Sequence, residues 1–230
     1  MNKINYQKEL EKLLSRIEAE TVSGQEAPTL FLHSCCAPCS SYVLKYLMEY
    51  FRITVFYYNP NISEKEEYWK RVEEQKKLIA IYNEKVQAGS NGKEGKKGYP
   101  IQMVEGAYEP EVFFDMARDY KDCPEGGERC FLCYKLRLLP TAREAKAGGF
   151  DYFGTTLTIS PLKNAAKLNE IGYMLEKEVG VKWLPSDFKK KEGYKQSVEL
   201  SAKYGLYRQD YCGCVYSKTE RERHKLTENS

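Results

Sequence analysis

The chain has 230 residues, of which 42% are hydrophobic and 30% are charged, a balance typical of globular proteins. No stretch approaches the roughly 18 consecutive apolar residues that a membrane-spanning helix needs, and the first residues lack the apolar core of a signal peptide. These features predict a cytoplasmic protein with no membrane partner. The formal net charge of +3 is too small to indicate a nucleic-acid partner by itself.

Helical and strand patterns alternate along most of the chain. An amphipathic helix is predicted at about 4–20 and an apolar strand at 29–34. Four further segments have strand patterns: 52–61, 101–106, 150–160 and 181–187. Six further segments have helical patterns: 37–50, 63–85, 110–120, 130–149, 164–180 and 193–206. A Ser-x-x-Glu capping box is expected at 63–66, at the start of the helix predicted for 63–85, and an exposed loop rich in Gly and Lys is expected at 88–98.

This alternation predicts an α/β fold that is doubly wound and Rossmann-like, with a mostly parallel sheet between two layers of helices. No change in composition indicates a linker, so residues 1–230 are expected to form a single domain. That domain would begin with the helix at about 4–20 and end in a basic tail at about 217–230. In open sheets of this kind, ligands bind beyond the carboxyl ends of the strands.

Three polar or cysteine-rich segments follow predicted strands. They are "HSCCAPC" (33–39), "YNPN" (58–61) and "TTLTIS" (155–160). Because the carboxyl ends of parallel strands lie along one edge of a sheet, these segments are expected to face one crevice.

Cysteines are the most informative residues of this sequence. The chain has eight of them, and seven fall into three groups. The groups are Cys35, Cys36 and Cys39; Cys130 and Cys133; and Cys212 and Cys214. Disulfides are rare in the compartment predicted above, so grouped cysteines favour metal binding or redox chemistry. Cys123 stands apart, and we expect it to have a structural role.

The residue pattern alone leaves several kinds of site open. Cys36 and Cys39 form a CxxC at a strand–helix junction, which is typical of a thiol–disulfide oxidoreductase. The CxxC at 130–133 and the CxC at 212–214 could together hold a structural zinc ion, as in a zinc-stapled RNA-binding module without catalysis. An iron–sulfur cluster also takes about four cysteines. Seven grouped cysteines exceed one four-ligand site and indicate a cluster with either a second metal or a dithiol beside it.

Five motifs taken together resemble those of the QueH-type epoxyqueuosine reductases. They are "LHSCCAPCSSY", "FYYNPNI…EYWKR", "RCFLCYKLRL", "FDYFGTTLTISPLKN" and "DFKKKEGYKQSVELSAKYGLYRQDYCGCVYS". The motifs span residues 29 to about 217, and their combination is far more specific than any single CxxC. The resemblance implies a fold similar to that of nucleotide-binding α/β enzymes that modify tRNA.

The resemblance also implies an oxidoreductase of queuosine biosynthesis that acts on tRNA. Members of this family reduce the epoxide of epoxyqueuosine at the wobble position of the anticodon and leave the alkene of queuosine. The implied cofactor is an iron–sulfur cluster, expected to be of the 4Fe–4S type, with an additional iron nearby. The expected partners are tRNA carrying epoxyqueuosine and an external electron donor such as ferredoxin or flavodoxin.

The metal site implied by the resemblance consists of cysteines. The positions that match the family's metal-site residues are Cys35, Cys36, Cys130, Cys133, Cys212 and Cys214. Cys39 matches a position that carries cysteine or aspartate in the family, and both residues are plausible metal ligands. We expect four of these seven thiolates to hold the cluster and the others to hold the additional iron.

The proposed reaction consumes two electrons and two protons, so an acid must lie near the site. The candidate catalytic residues, by motif position, are His33, Tyr57 and Asp187, with Tyr58 as a further candidate. The candidate contacts to substrate and RNA are Asn59, Asn61, Thr155, Thr156, Lys163, Lys189, Lys190, Lys191 and Arg208. Each candidate also has an ordinary structural alternative, such as a packed side chain, a turn or a solvated charge.

Overall fold

The computed structural model of the protein describes residues 4–89 and 98–228. Its five strands are β1 (Thr29–His33), β2 (Arg52–Tyr57), β3 (Gln102–Glu105), β4 (Tyr152–Thr155) and β5 (Lys182–Trp183). The α-helices of the described residues are α1 (Tyr6–Val22), α2 (Ala37–Leu47), α3 (Lys65–Gln87), α4 (Pro110–Ala117), α5 (Glu128–Ala147), α6 (Ala165–Val179), α7 (Gly193–Lys203) and α8 (Val215–Glu228). Short 3-10 helices follow α4 and β4, at Arg118–Tyr120 and Thr156–Ile159.

The five strands form one parallel sheet in the order β3-β2-β1-β4-β5. In the centre of the sheet, Leu30 of β1 is aligned with Ile53 of β2 on one side and with Tyr152 of β4 on the other. The predicted doubly wound, parallel α/β fold is therefore confirmed. The strand order reverses between β1 and β4, and such a switch point opens a crevice at the carboxyl ends of the strands.

Alternate residues of β1 enter two separate cores because successive side chains of a strand point to opposite faces. Leu30 and Leu32 belong to a core that also contains buried residues of α1, α2 and α3. Phe31 belongs to a second core, which contains buried residues of α5 and α6. The helices therefore cover both faces of the sheet, and the apolar run of β1 is explained by burial on both sides.

One predicted detail of a helix start is wrong. The capping box expected at 63–66 does not form, because α3 begins at Lys65 with Glu64 at its N-cap. Ser63 has another partner: its Oγ accepts a hydrogen bond of 2.9 Å from the backbone N–H of Val215, the first residue of α8. A long-range contact has thus replaced the local one that the motif predicts.

Of the basic tail expected at about 217–230, residues 217–228 belong to the helix α8, and residues 229–230 lie outside the described part of the chain. Of the loop expected at 88–98, residues 90–97 lie outside the described part of the chain. Across residues 4–89 and 98–228, no helix combines the length and the apolar composition needed to cross a membrane.

Candidate metal centre and adjoining cleft

The first cysteine group lies at the switch point of the sheet. β1 ends at His33, and Cys36 is the N-cap residue of α2. On the neighbouring strand, β4 ends at Thr155, and the Oγ1 of Thr156 lies 3.9 Å from the Sγ of Cys35. The crevice predicted between these strand ends is therefore lined by thiols.

Cys35, Cys36 and Cys39 form a compact triad. Their Sγ atoms all lie within 4.8 Å of one another, close enough to bind a single metal ion. The Sγ atoms of Cys35 and Cys36 are 3.7 Å apart. Hydrogen bonds from Cys35 and Cys39, together with the positive charge of Arg71, hold the pKa of Cys36 well below its usual range. Cys36 is thus the thiol of this triad that most readily becomes a thiolate.

The other two cysteine motifs of the sequence come together as the second cysteine group of the site, which lines a small cavity of about 10 Å³. Its cysteines are Cys130, Cys133, Cys212 and Cys214. Cys212 also lines the larger cleft that the triad faces, so the two groups are adjacent. All seven cysteines of the predicted metal site are therefore brought to one region of the molecule, whereas Cys123 lines neither cavity.

The turn that carries Cys212 and Cys214 depends on the glycine between them. Gly213 has φ +110°, a left-handed backbone conformation that favours glycine. A Cβ at this position would lie 2.9 Å from Cγ1 of Ile62 and 3.1 Å from Nη1 of Arg71. The sequence Cys-Gly-Cys thus permits the backbone to approach α3 closely, and Arg71 Nη1 donates a 3.1 Å hydrogen bond to the carbonyl of Cys212.

All three cysteine motifs of the sequence, at 35–39, 130–133 and 212–214, lie at the amino-terminal ends of helices. Cys36 precedes α2, Cys130 and Cys133 lie near the start of α5, and Cys214 directly precedes α8. The partial positive charge of a helix N-terminus stabilises a thiolate. The N-termini of three helices therefore each favour the thiolate form of the cysteines of this site.

Nitrogen donors also approach the sulfurs of the second group. The N–H of Gly126 lies 3.3 Å from the Sγ of Cys130, and the N–H of Ser217 lies 3.4 Å from the Sγ of Cys214. The Nδ2 of Asn61 lies 3.8 Å from the Sγ of Cys212. Donors of this kind stabilise sulfur that carries negative charge, as in a metal thiolate.

Three buried cations lie beside the cysteines. Arg71 and Arg137 are 2% and 1% exposed, and Lys163 is 8% exposed. Hydrogen bonding from Cys214 and the charges of Lys163 and Arg137 hold the pKa of Cys212 well below its usual range, against the effect of burial. The spacing of the triad fits a thiophilic metal ion, and the four neighbouring cysteines are soft donors of the type that also bind iron–sulfur clusters.

A cleft of about 820 Å³ opens in front of the triad. Of the residues predicted from sequence, its lining contains the triad, Cys212, Lys163 and Arg208. Sequence reasoning missed several others, and the main ones are Arg71, Arg137, Tyr194, Gln209, Tyr211, Arg221 and His224. Proximity to the CxC motif could have indicated Gln209 and Tyr211, and Arg71 and Arg137 lie within the motifs "EYWKR" and "RCFLCYKLRL". Arg221 and His224 of α8 carry no such signal.

His33 is fully buried and has two hydrogen-bond partners. Its Nδ1 lies 2.9 Å from Thr155 Oγ1, and its Nε2 lies 3.2 Å from the carbonyl oxygen of Tyr58. Burial and the nearby charge of Arg137 lower the pKa of His33 to about 3, so the ring is neutral at physiological pH. His33 does not line the cleft, and its geometry suits a residue that joins β1 to β4. Its catalytic role stays a prediction.

Tyr57, Asn59 and Asn61 lie close together in the chain at the end of β2 and are almost completely buried. Asn59 Nδ2 donates a 2.8 Å hydrogen bond to the carbonyl of Ser34 and so supports the segment before the triad. Tyr57 Oη and the Oδ1 atoms of both asparagines have no hydrogen-bond partner among the described residues. Neither Tyr57 nor either asparagine lines the cleft, so their roles toward substrate stay predictions.

The remaining predicted residues lie close to the sheet or outside the cleft. Asp187 is partly buried and its Oδ1 lies 2.9 Å from the Nζ of Lys189. Lys191 pairs with Glu11 of α1. Neither Asp187 nor any residue of 189–191 lines the cleft. Lys163 does line it, but its Nζ lies 3.1 Å from Glu125 Oε1, so its charge is compensated.

The chain is thus a parallel α/β protein with a cluster of cysteines at the switch point of its sheet, and three of these cysteines are close enough together to hold a metal ion. A family model described as "Epoxyqueuosine reductase QueH" matches residues 30–220 of the chain. The chain belongs to the QueH family.

Relatives from several bacteria support this assignment. An epoxyqueuosine reductase QueH of Staphylococcus epidermidis is 42% identical over 217 residues, which cover 94% of this chain and 85% of the relative. The protein of the same name from Streptococcus pyogenes is 40% identical over 215 residues, or 94% of this chain and 78% of the relative. That from Thermotoga maritima is 36% identical over 197 residues, or 85% of this chain and 94% of the relative.

Proposed function

We propose that this protein reduces the epoxide of epoxyqueuosine at the wobble position of tRNA and yields queuosine. The carbon–oxygen bonds of the epoxide break, two electrons and two protons are consumed, and an alkene and water are formed. The observation that carries the proposal is the grouping of seven cysteines along one cleft and an adjoining small cavity, together with membership of the QueH family.

The cysteines would hold an iron–sulfur cofactor. The four around the small cavity match the ligand number of a 4Fe–4S cluster, and the triad is compact enough for one additional iron. When bound, such a centre supplies electrons one at a time, and an iron with an open position acts as a Lewis acid toward oxygen. The electrons come from an external donor, for which we propose a ferredoxin or flavodoxin.

The cleft would bind the modified nucleotide and its neighbours. Arg208, Tyr194 and Leu162 line it and are exposed. Arg208 Nη2 donates a 3.3 Å hydrogen bond to Tyr194 Oη, and Arg208 Cζ lies 5.8 Å from the centroid of the Tyr194 ring, so the cleft presents a cation and an aromatic ring side by side. Single-stranded bases commonly stack on tyrosine and arginine. The remaining predicted RNA contacts, Lys189, Lys190 and Lys191, would then bind phosphates farther from the reacting base.

Tyr57 and His33 are predicted proton donors that both lie close enough to the cysteines to be affected by their charge. Burial, and to a smaller extent the charges of Cys36 and Cys35, hold the pKa of Tyr57 well above its usual range. The phenol therefore keeps its proton at neutral pH. We propose that Tyr57 supplies one proton at the metal centre, while His33 and Asp187 hold the strand ends in position.

The test combines metal analysis with a single-turnover assay on anaerobically purified protein. We expect more iron than the roughly four atoms of a single 4Fe–4S cluster, with acid-labile sulfide, and conversion of epoxyqueuosine to queuosine in tRNA after reduction with dithionite. A variant with Cys35, Cys36 and Cys39 all replaced by serine should keep the cluster iron, lose the additional iron and lose activity. Cys123→Ser is the matched control and should behave as the wild type.

Two outcomes would contradict the proposal. One is zinc as the bound metal even after anaerobic reconstitution with iron and sulfide, which would favour a zinc-stapled module. The other is a fully loaded protein that leaves epoxyqueuosine unchanged.

A further inference from the structure

Arg137 lies between the two cysteine groups. It lies one helical turn after Cys133 on α5 and lines both the small cavity and the cleft. Its side chain is almost completely buried, and its Nε donates a 3.3 Å hydrogen bond to the carbonyl of Cys133. Arg137 therefore borders both the small cavity and the cleft, which between them are lined by all seven cysteines.

Arg137 differs from the two other buried cations, Arg71 and Lys163, in having no carboxylate that forms an ion pair with it among the described residues. Arg71 pairs with Glu67 at 2.7 Å, and Lys163 pairs with Glu125 at 3.1 Å. In the described part of the chain, no Asp or Glu forms an ion pair with Arg137. A buried charge without a partner is strongly destabilising, and a guanidinium does not become neutral by releasing a proton.

Cysteines surround Arg137 on both sides. It shares the lining of the small cavity with Cys130, Cys133, Cys212 and Cys214, and it shares the lining of the cleft with Cys35, Cys36 and Cys39. We therefore expect the negative charge that balances Arg137 to come from thiolates or a metal centre between the triad and the cysteines of the small cavity.

We propose that Arg137 is the positioning counter-cation of the metallocentre, and that it raises the reduction potential of that centre. This inference rests on the proposed iron–sulfur cofactor. Uptake of an electron makes the centre more negative, and an unpaired positive charge in a medium of low dielectric stabilises the reduced state more than the oxidised state. Arg71 and Lys163, each paired with a glutamate, contribute less.

The test is an EPR-monitored titration with dithionite of anaerobically reconstituted protein in the absence of tRNA. Arg137→Met removes the charge and keeps much of the volume, and Arg137→Lys keeps the charge but loses the planar fork. We expect Arg137→Met to make reduction at least tenfold less favourable, which is about 59 mV for a one-electron couple. Arg137→Lys should lie close to the wild type. Arg52→Met is the control, because Arg52 begins β2 at the opposite end of the sheet from the site and pairs with Glu26.

Each other outcome would overturn the inference. A fully loaded Arg137→Met variant with the wild-type potential would show that the charge has no such effect. Arg137→Met could also fail to take up iron, and the test then rests on Arg137→Lys. The proposal requires that Arg137→Lys binds iron and has the wild-type reduction potential. An Arg137→Lys variant that binds no iron, or whose reduction potential is lowered by about 59 mV or more, contradicts the proposal. A wild-type protein that takes up no iron–sulfur centre would contradict the proposed cofactor. A loaded wild type whose variants have the same reduction potential would contradict only the role of Arg137.

Discussion

At the scale of single residues, the site contains polar atoms that the polypeptide leaves without partners. Tyr57 Oη, Asn61 Oδ1 and Gln75 Nε2 are buried and unpaired among the described residues. Buried polar groups nearly always have hydrogen-bond partners. Their concentration near the cysteine groups is what one expects where a bound group completes the hydrogen bonding.

Tyr57→Phe should leave the metal-free protein as stable as the wild type or slightly more stable. The substitution removes a buried hydroxyl that has no partner among the described residues, so no hydrogen bond within that part of the chain is broken. Turnover of the loaded enzyme should fall by about 10²–10⁴-fold, the usual contribution of a general acid. Urea unfolding of the metal-free protein and single-turnover rates of the loaded protein check these expectations.

Tyr82→Phe is the matched control for stability. Tyr82 is equally buried, but its Oη donates a 2.6 Å hydrogen bond to the carbonyl of Ser41. This variant should lose about 1 kcal/mol of unfolding free energy, because an acceptor remains without its donor, and should keep its activity. A Tyr57→Phe variant with wild-type turnover would exclude Tyr57 as the proton donor.

At the scale of elements, the site is built from the ends of helices. One cysteine motif lies near or just before the first turn of each of three helices, α2, α5 and α8. α8 also places Arg221 and His224 in the lining of the cleft. The segment that follows the last cysteine is therefore part of the cleft wall.

Charge reversal at the cleft should weaken tRNA binding. Arg208 and Arg221 both line the cleft, and Arg221 lies 3.6 Å from Asp210. We expect the double variant Arg208→Glu, Arg221→Glu to bind tRNA more weakly. The slope of log affinity against log salt should become shallower by about 0.7 for each phosphate that the variant no longer neutralises. Filter-binding titrations at several salt concentrations measure both effects.

The matched control reverses two charges elsewhere on the surface. Lys12 and Arg16 of α1 line a separate open groove. Their double reversal to glutamate changes the net charge by the same amount, so it should alter affinity much less. Equal reductions in affinity for the two double variants would mean that only net charge matters, and would argue against the cleft as the RNA-binding site.

At the scale of the whole molecule, the metal site joins segments that are far apart in the chain. Cys36, Cys133 and Cys212 come from the start of α2, from α5 and from the loop before α8. A group that binds the folded state and not the unfolded chain stabilises the fold by mass action. A metal bound at this site would therefore have a structural as well as a chemical effect.

Removal of the metal should lower the melting temperature. Anaerobic calorimetry of loaded and chelator-treated protein should show the loaded form melting higher, because the bound group cross-links three distant segments. Cys123→Ser should keep the full difference, since Cys123 lines neither cavity, whereas Cys212→Ser should reduce it. Equal melting temperatures for a demonstrably loaded and a metal-free sample would disprove this coupling.

The alternation of strands and helices could be predicted from the sequence, because hydrophobic periodicity is a local property. The sequence also indicated which cysteines belong together, since the spacing within each group is short. It could not predict where Ser63 would find its partner, because a backbone N–H of α8 replaced the local capping box.

Around the cysteines, compensation of charge is only partly a local property. Arg71 pairs with Glu67 one turn earlier on α3, a spacing that the sequence already shows. Lys163 instead pairs with Glu125, 38 residues away, and nothing local indicates that Arg137 has no such partner. Contacts between distant residues of this kind exist only once the sheet and its helices have assembled. For the same reason, the predicted contacts at 189–191 were expected near the cleft by their order in the chain. On that side of the molecule, the residues that line the cleft instead come from α7, from α8 and from the loop between them.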